Sequence, residues 1–199
     1  MMKLRIWTVL FLVIVVCVST GMLNVIYVHT DPIVRKNERI KMQRSVLEVF
    51  DIPYEEIGIN DAFEKHIETQ VVEQAANLFM EGKSLYRYKE GGLAFEISGP
   101  GFWGEISVLI ALEPDLETIR GLKILKHVET PGLGGRIAES WFQSQFKGKK
   151  VIPELKIVSY RKAKGPNEVD AISGATQTSK AFERIINSNI ETFCRNIGR

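Results

Sequence analysis

Asp170-Ala171-Ile172-Ser173-Gly174-Ala175-Thr176-Gln177-Thr178-Ser179 reads as a helix start. The apolar residues beyond it, Phe182, Ile185, Ile186, Ile190 and Phe193, recur at helical spacing and give that helix one face to bury. Ser173 suits the N-cap, and Gly174 and Ala175 leave the first turn uncovered. Thr176 then falls at the third helical position, beside amide N–H groups that have no intrahelical acceptor. Those donors and the positive end of the helix dipole make a place for a phosphate. Two readings share the pattern at this point, an ordinary cap with extra hydroxyls and an anion site.

Upstream the period changes. Residues 84–89, 93–98, 105–113 and 118–126 read as strands separated by Glu90-Gly91-Gly92, Gly99-Pro100-Gly101 and Pro114-Asp115 turns, and connections this short imply antiparallel pairing. Residues 136–146 read as an amphipathic helix turning Ile137, Trp141, Phe142 and Phe146 inward, and residues 155–161 as a further strand. Nearer the N-terminus, Asp31-Pro32 signals a helix over residues 33–50, ended by Pro53, and a second short helix covers residues 60–70 with Phe63 and Ile67 on one side.

Residues 6–28 carry no charged side chain, are long enough to span a bilayer, and have Trp7 and Tyr27 at their two ends. The run exceeds the apolar region of a signal peptide and no small-x-small cleavage site follows, so a retained anchor is expected. Lys3 and Arg5 precede it while Arg35, Lys36, Arg39 and Lys41 follow. A positive-inside count therefore puts the domain in the cytoplasm, although such counts weigh little for long domains. The formal net charge of +2 and charged fraction of 25% in 199 residues offer no basic field for nucleic acid. Cys17 and Cys194 suggest neither a disulfide framework nor a metal site, and His29, His66 and His127 are scattered. The expected architecture is α+β. One N-terminal transmembrane helix (residues 1–30) leads through a juxtamembrane helical segment (31–70) into a single domain (71–199), a largely antiparallel sheet flanked by helices.

The string Asp170-x-x-Ser173-Gly174-Ala175-Thr176, with Thr178-Ser179 after it, resembles the flavinylation motif of the FMN-binding domain family. That family includes the G subunit of the Rnf complex and the C subunit of the sodium-translocating NADH:quinone oxidoreductase. A second string resembling the family's, Glu129-Thr130-Pro131-Gly132-Leu133-Gly134-Gly135, stands upstream, and Gly101-Phe102-Trp103-Gly104 resembles a third segment. The resemblance covers nearly the whole chain and makes residues 71–199 the FMN-binding domain.

The resemblance implies FMN attached covalently by a phosphoester to Thr176. It also implies a separate flavin transferase using FAD and magnesium, with Asp170 as part of what that enzyme recognises. The local chemistry agrees, because no His or Lys base adjoins the Thr176 hydroxyl to activate it. Ser173, Gly174, Ala175, Gln177 and Thr178 complete the phosphate end of the expected site. Lys180, one turn on, either adds a counter-charge or is an exposed lysine. The ring must then be held elsewhere. Thr130-Pro131-Gly132 forces an extended residue and then a turn, and the glycines of residues 129–135 let backbone N–H groups approach the flavin closely, so Glu129, Thr130, Gly132, Leu133 and Gly134 are assigned to it. Trp103, between glycines, either covers a flavin face or fills the core at a hairpin turn.

What the resemblance implies in function is an electron-carrying component of an Rnf-type ion-translocating oxidoreductase complex, without activity alone. Its partners would be the other subunits and the lipid bilayer. The domain would lie on the extracytoplasmic side of the cell inner membrane, against the charge count. The C subunit of the sodium pump is the alternative, since Ser45-Val46-Leu47-Glu48-Val49 and Lys147-Gly148-Lys149-Lys150 look like it. An anchored module that holds an anion without redox chemistry is the alternative from another class.

Overall fold

The computed structural model describes residues 2–71 and 84–196; residues 72–83, at the start of the expected domain, lie outside these, as do the side chains of Lys3 and Arg5. Contacts divide the chain into two units, Met1–Met42 and Gln43–Arg199. The expected boundary between residues 70 and 71 falls inside a strand of the sheet.

The first unit is the greater part of a helix α1, Met2–Val49. It contains a span long and apolar enough to cross a membrane by length and composition, and its large apolar side chains between residues 7 and 28 are exposed. The expected helix start at Asp31-Pro32 is not there: Pro32 lies inside α1. An interior proline removes one intrahelical bond and costs about 3 kcal/mol. Here the turn before it is already helical, Thr30 Oγ1 donates to the Ile26 carbonyl at 2.9 Å, and Arg35 Nε reaches back across the proline to Asp31 Oδ2 at 2.7 Å.

The second unit is built on a five-stranded antiparallel meander in the order β1 (Ile67–Val71), β2 (Ser84–Tyr88), β3 (Leu93–Pro100), β4 (Glu105–Leu112) and β5 (Ile119–Lys126). The turns explain themselves chemically. Gly91 and Gly92 take positive φ between β2 and β3, and Asp115 collects the N–H groups of Glu117 and Thr118 between β4 and β5. The expected helix over residues 60–70 is a shorter helix α2, Ile59–His66, after which the chain joins the sheet as β1. The β-branched residues Ile67, Thr69 and Val71 and the free edge of β2 outweigh helical continuation there.

One sheet face carries helix α4, Thr176–Asn196, with Phe193 stacked on Phe95 at 4.4 Å and Ile185 over Gly99. The last turns of α1 cover the other face, where a Cβ on Gly121 would run into the Val49 backbone. Both faces being covered is why β4 buries every residue from Ile106 to Leu112. The expected helix over residues 136–146 is two pieces, a 3-10 helix Gly134–Ala138 and α3, Ser140–Ser144, broken at the extended residue Glu139. Ile137, Phe142 and Phe146 are buried as expected, but Trp141 is not. Its indole N–H bonds to the Glu139 carboxylate, and the Arg136 guanidinium lies 5.1 Å from its ring centroid. The expected strand over 155–161 shrinks to β6, Lys156–Val158, which pairs in parallel with an unforeseen β7, Glu168–Asp170. The chain leaves β6 early because Glu168 ties back Arg161 and the amides of Lys164 and Gly165.

Candidate functional site

The N-terminus of α4 sits two residues later than its sequence pattern implies. Ser173 and Gly174 form a turn, Gly174 with φ +78, and Ala175 is the residue whose carbonyl receives the first helical bond, from Ser179 at 3.0 Å. Thr176 is therefore the first helical residue rather than the third, and Ser173 is not its cap. Ala contributes no side-chain oxygen, so the amides of Thr176, Gln177 and Thr178 keep no intrahelical acceptor. The turn before them is tied otherwise. The Ala175 N–H donates to Ile172 O at 3.0 Å, and the Ile172 N–H to the buried Ser179 hydroxyl at 3.1 Å. The displaced start leaves the donors free and the Thr176 side chain exposed.

These residues edge a cleft of about 280 Å3, near the lower end of small-molecule sites, roughly 300–1,000 Å3. Thr176, Gln177 and Thr178 meet Thr130, Leu133 and Gly134 there, and the tips of Phe102 and Trp103 complete it. Phe102, Trp103 and Leu133 are 53%, 67% and 47% exposed, an apolar wall in contact with solvent. The alternative of a core tryptophan is thereby excluded for Trp103. The two rings meet edge to face at 5.2 Å. Three segments far apart in sequence thus converge on one place. The site residues expected from sequence and brought together are Thr176, Gly174, Ala175, Gln177, Thr178, Glu129, Thr130, Leu133, Gly134 and Trp103. Ser173 and Gly132 are exposed outside the cleft lining.

Glu129 is 3% exposed, and both its oxygens are engaged. Oε1 accepts the N–H groups of Phe102 at 2.7 Å and Trp103 at 3.0 Å, and Oε2 accepts the Thr178 hydroxyl at 2.7 Å. No sequence signal carried this contact, because residues 129 and 178 stand far apart on elements of different type. Phe102 is the lining residue left unassigned by sequence; its place beside Trp103 between Gly101 and Gly104 was the available signal.

Asp170 lies outside the cleft, at the end of β7. Its carboxylate accepts the Ala163 N–H at 2.7 Å and Lys162 Nζ at 3.2 Å, and chiefly the Ala163 bond holds its pKa below the usual carboxylate range. Lys180 turns away from Thr176 and donates to Glu183 at 2.9 Å. A larger groove of about 580 Å3 runs past residues 154–161 to Lys180 and Glu183, but its charged side chains are paired, among them Lys156 with Glu154 at 3.0 Å. The smaller cleft is the one that gathers a hydroxyl, free amides and exposed rings.

The sequence of this region has relatives. Residues 101–191, from the turn before Phe102 to the last turns of α4, match the FMN-binding domain family. That stretch is similar to an FMN-binding domain. The G subunit of the Na+-translocating ferredoxin:NAD+ oxidoreductase complex of Acetobacterium woodii is 40% identical to it over 98 residues, 48% of this chain and 46% of that protein. The C subunit of the Na+-translocating NADH-quinone reductase of Yersinia pestis is 37% identical over 97 residues, 46% of this chain and 36% of that protein. The chain spans less than half the length of these curated relatives in the matched region. The crystal structure of the corresponding C subunit from Parabacteroides distasonis has the same fold, with a TM-score of 0.67 at 20% identity over 83% of this chain and 95% of that one. All the residues that line the cleft, from Phe102 to Thr178, lie within the matched stretch.

Proposed function

We propose that the chain is a membrane-anchored electron carrier that holds FMN by a phosphoester to Thr176, within an ion-translocating oxidoreductase complex of the Rnf type. The observation that carries this is the exposed Thr176 at a helix start with three uncommitted amides, beside an exposed aromatic wall. The donors suit a phosphate, the helix dipole favours its charge by about 0.3–1 kcal/mol, and Trp103, Phe102 and Leu133 suit a planar ring. When bound, the flavin supplies the redox chemistry, while the protein fixes its place. Thr176 is the attachment point, Gln177 and Thr178 present amides to the phosphate, and Thr130, Leu133 and Gly134 form the opposite lip.

The relatives named above are subunits of sodium-translocating oxidoreductases, and their names support other subunits of such a complex as partners, while the apolar span of α1 supports a membrane location, which we take as the inner membrane. The C subunit of the sodium pump stays the alternative, its relative matching nearly as well as the G subunit. A flavin transferase using FAD and magnesium completes the reading, since no base stands beside Thr176 in sequence. Asp170 would serve that enzyme through the shape of the loop over residues 159–165, which its carboxylate holds.

The deciding experiment is the intact mass of the full-length chain produced with a flavin transferase. A gain equal to FMN less one water, absent in Thr176→Ala, is the expected result. An unshifted wild-type mass would overturn the covalent carrier and leave the non-redox anion module.

A further inference from the structure

The Glu129 carboxylate meets three donors from two segments, 26 and 27 residues before it and 49 after it. Space around it is kept by glycines. A Cβ on Gly101 would stand 2.5 Å from Oε1, and one on Gly134 would stand 2.7 Å from Oε2 and 2.5 Å from Thr178 Oγ1. The side chain is enclosed, while Phe102 and Trp103 stand exposed on the cleft beside it. The turn it grips is closed on itself by the Gly101 N–H bonding Gly104 O at 2.7 Å.

We propose that Glu129 is a positioning residue: it latches the Phe102–Trp103 turn to the first turn of α4, and so sets the spacing in which a planar ring is held beside Thr176. The identity of the ring rests on the FMN reading; the latch does not. A carboxylate is an acceptor with two oxygens, matched here to three donors, and removing it leaves the buried Thr178 hydroxyl and the part-buried Phe102 and Trp103 amides without that acceptor. Gln preserves the match. Its single oxygen serves the two amides, and its NH2 donates to the Thr178 hydroxyl, which rotates to accept. A glutamate acting on the ring through its charge would lose that effect in Gln.

The test uses the full-length, flavin-free chain with Trp7→Phe and Trp141→Phe, leaving Trp103 as the sole tryptophan of three. Glu129→Ala is expected to raise the fast-decaying part of the Trp103 anisotropy and its acrylamide quenching while far-ultraviolet dichroism is kept, and Glu129→Gln to restore wild-type behaviour. Unchanged Trp103 signals in a folded Glu129→Ala chain, or a Gln variant that behaves like Ala, would overturn the latch. If Glu129→Ala does not fold, Thr178→Val decides, because it cuts only the bond to α4: a loosened Trp103 supports the latch and an unaltered one refutes it. In the flavinylated chain the visible dichroism of the ring is expected to weaken in Ala and persist in Gln. A wild-type chain that takes up no flavin sinks the FMN reading, while the Trp103 signals still judge the latch.

Discussion

Thr176 combines an exposed hydroxyl with the first position of a helix, where side-chain loss is inexpensive. Ala is the better helix former, so Thr176→Ala is expected to change stability by less than about 0.5 kcal/mol while abolishing flavin fluorescence in a denaturing gel. Fluorescence that survives would move the attachment elsewhere. Thermal unfolding of the same variant reads the stability half of the claim. Asp170 gives a pH-dependent counterpart. Its folded pKa is depressed, first by the Ala163 N–H and then by Lys162, so it contributes stability that is present above the unfolded carboxylate value of about 3.9 and is lost as pH falls through the lower folded value. Asp170→Asn is therefore expected to be less stable than wild type at neutral pH, with the gap closing as the solution is acidified below about pH 4. Urea midpoints at pH 7 and pH 3 measure it; a gap that widens in acid would mean that the carboxylate is not the group involved.

At the scale of elements, the site is a junction between the 3-10 helix Gly134–Ala138, the turn over residues 101–104 and the start of α4. Gly134 is buried against Thr178 and Glu129, where an added methyl has no space. Gly134→Ala is expected to cost about 1–3 kcal/mol by overpacking, seen as a lower urea midpoint with an unchanged slope. Gly132 makes the contrast: a Cβ there meets nothing, but φ is +74, so any loss at that position is backbone strain alone. The aromatic cluster of Phe142, Phe146 and Phe182, with centroids 5.2–5.7 Å apart, ties α3 to α4 in the core.

At the scale of the molecule, the apolar span of α1 and the separate core of Gln43–Arg199 make opposite demands on solvent. The full chain is expected to sediment with membranes and resist high-salt extraction, whereas a chain beginning at Gln43 is expected to fold and remain in solution. Full-length protein in the soluble fraction would remove the anchor. On sidedness, protease added to cells with a permeable outer envelope is expected to cut within residues 43–199, consistent with an extracytoplasmic domain; cleavage confined to the short N-terminal tail would restore the charge count.

The apolar run of residues 6–28, four of the five meander strands and the buried face of α4 are local properties, written as uninterrupted hydrophobicity, as a period of two between glycine turns, and as a period of 3.6. They are legible because each depends only on neighbours along the chain. The motif strings likewise named Thr176, Glu129 and Trp103. Tertiary structure decided the rest. Pro32 is carried inside α1 because both flanking turns are already helical. Residues 67–71 became β1 because β2 had an open edge. The cap of α4 moved from Ser173 to Ala175, whose carbonyl receives the first helical bond. The bond from Thr178 to Glu129 joins positions whose proximity exists only once the sheet has brought the 101–104 turn and α4 together. No period or propensity encodes a contact of that kind, since its energy comes from donors and acceptors that meet only after the chain has folded.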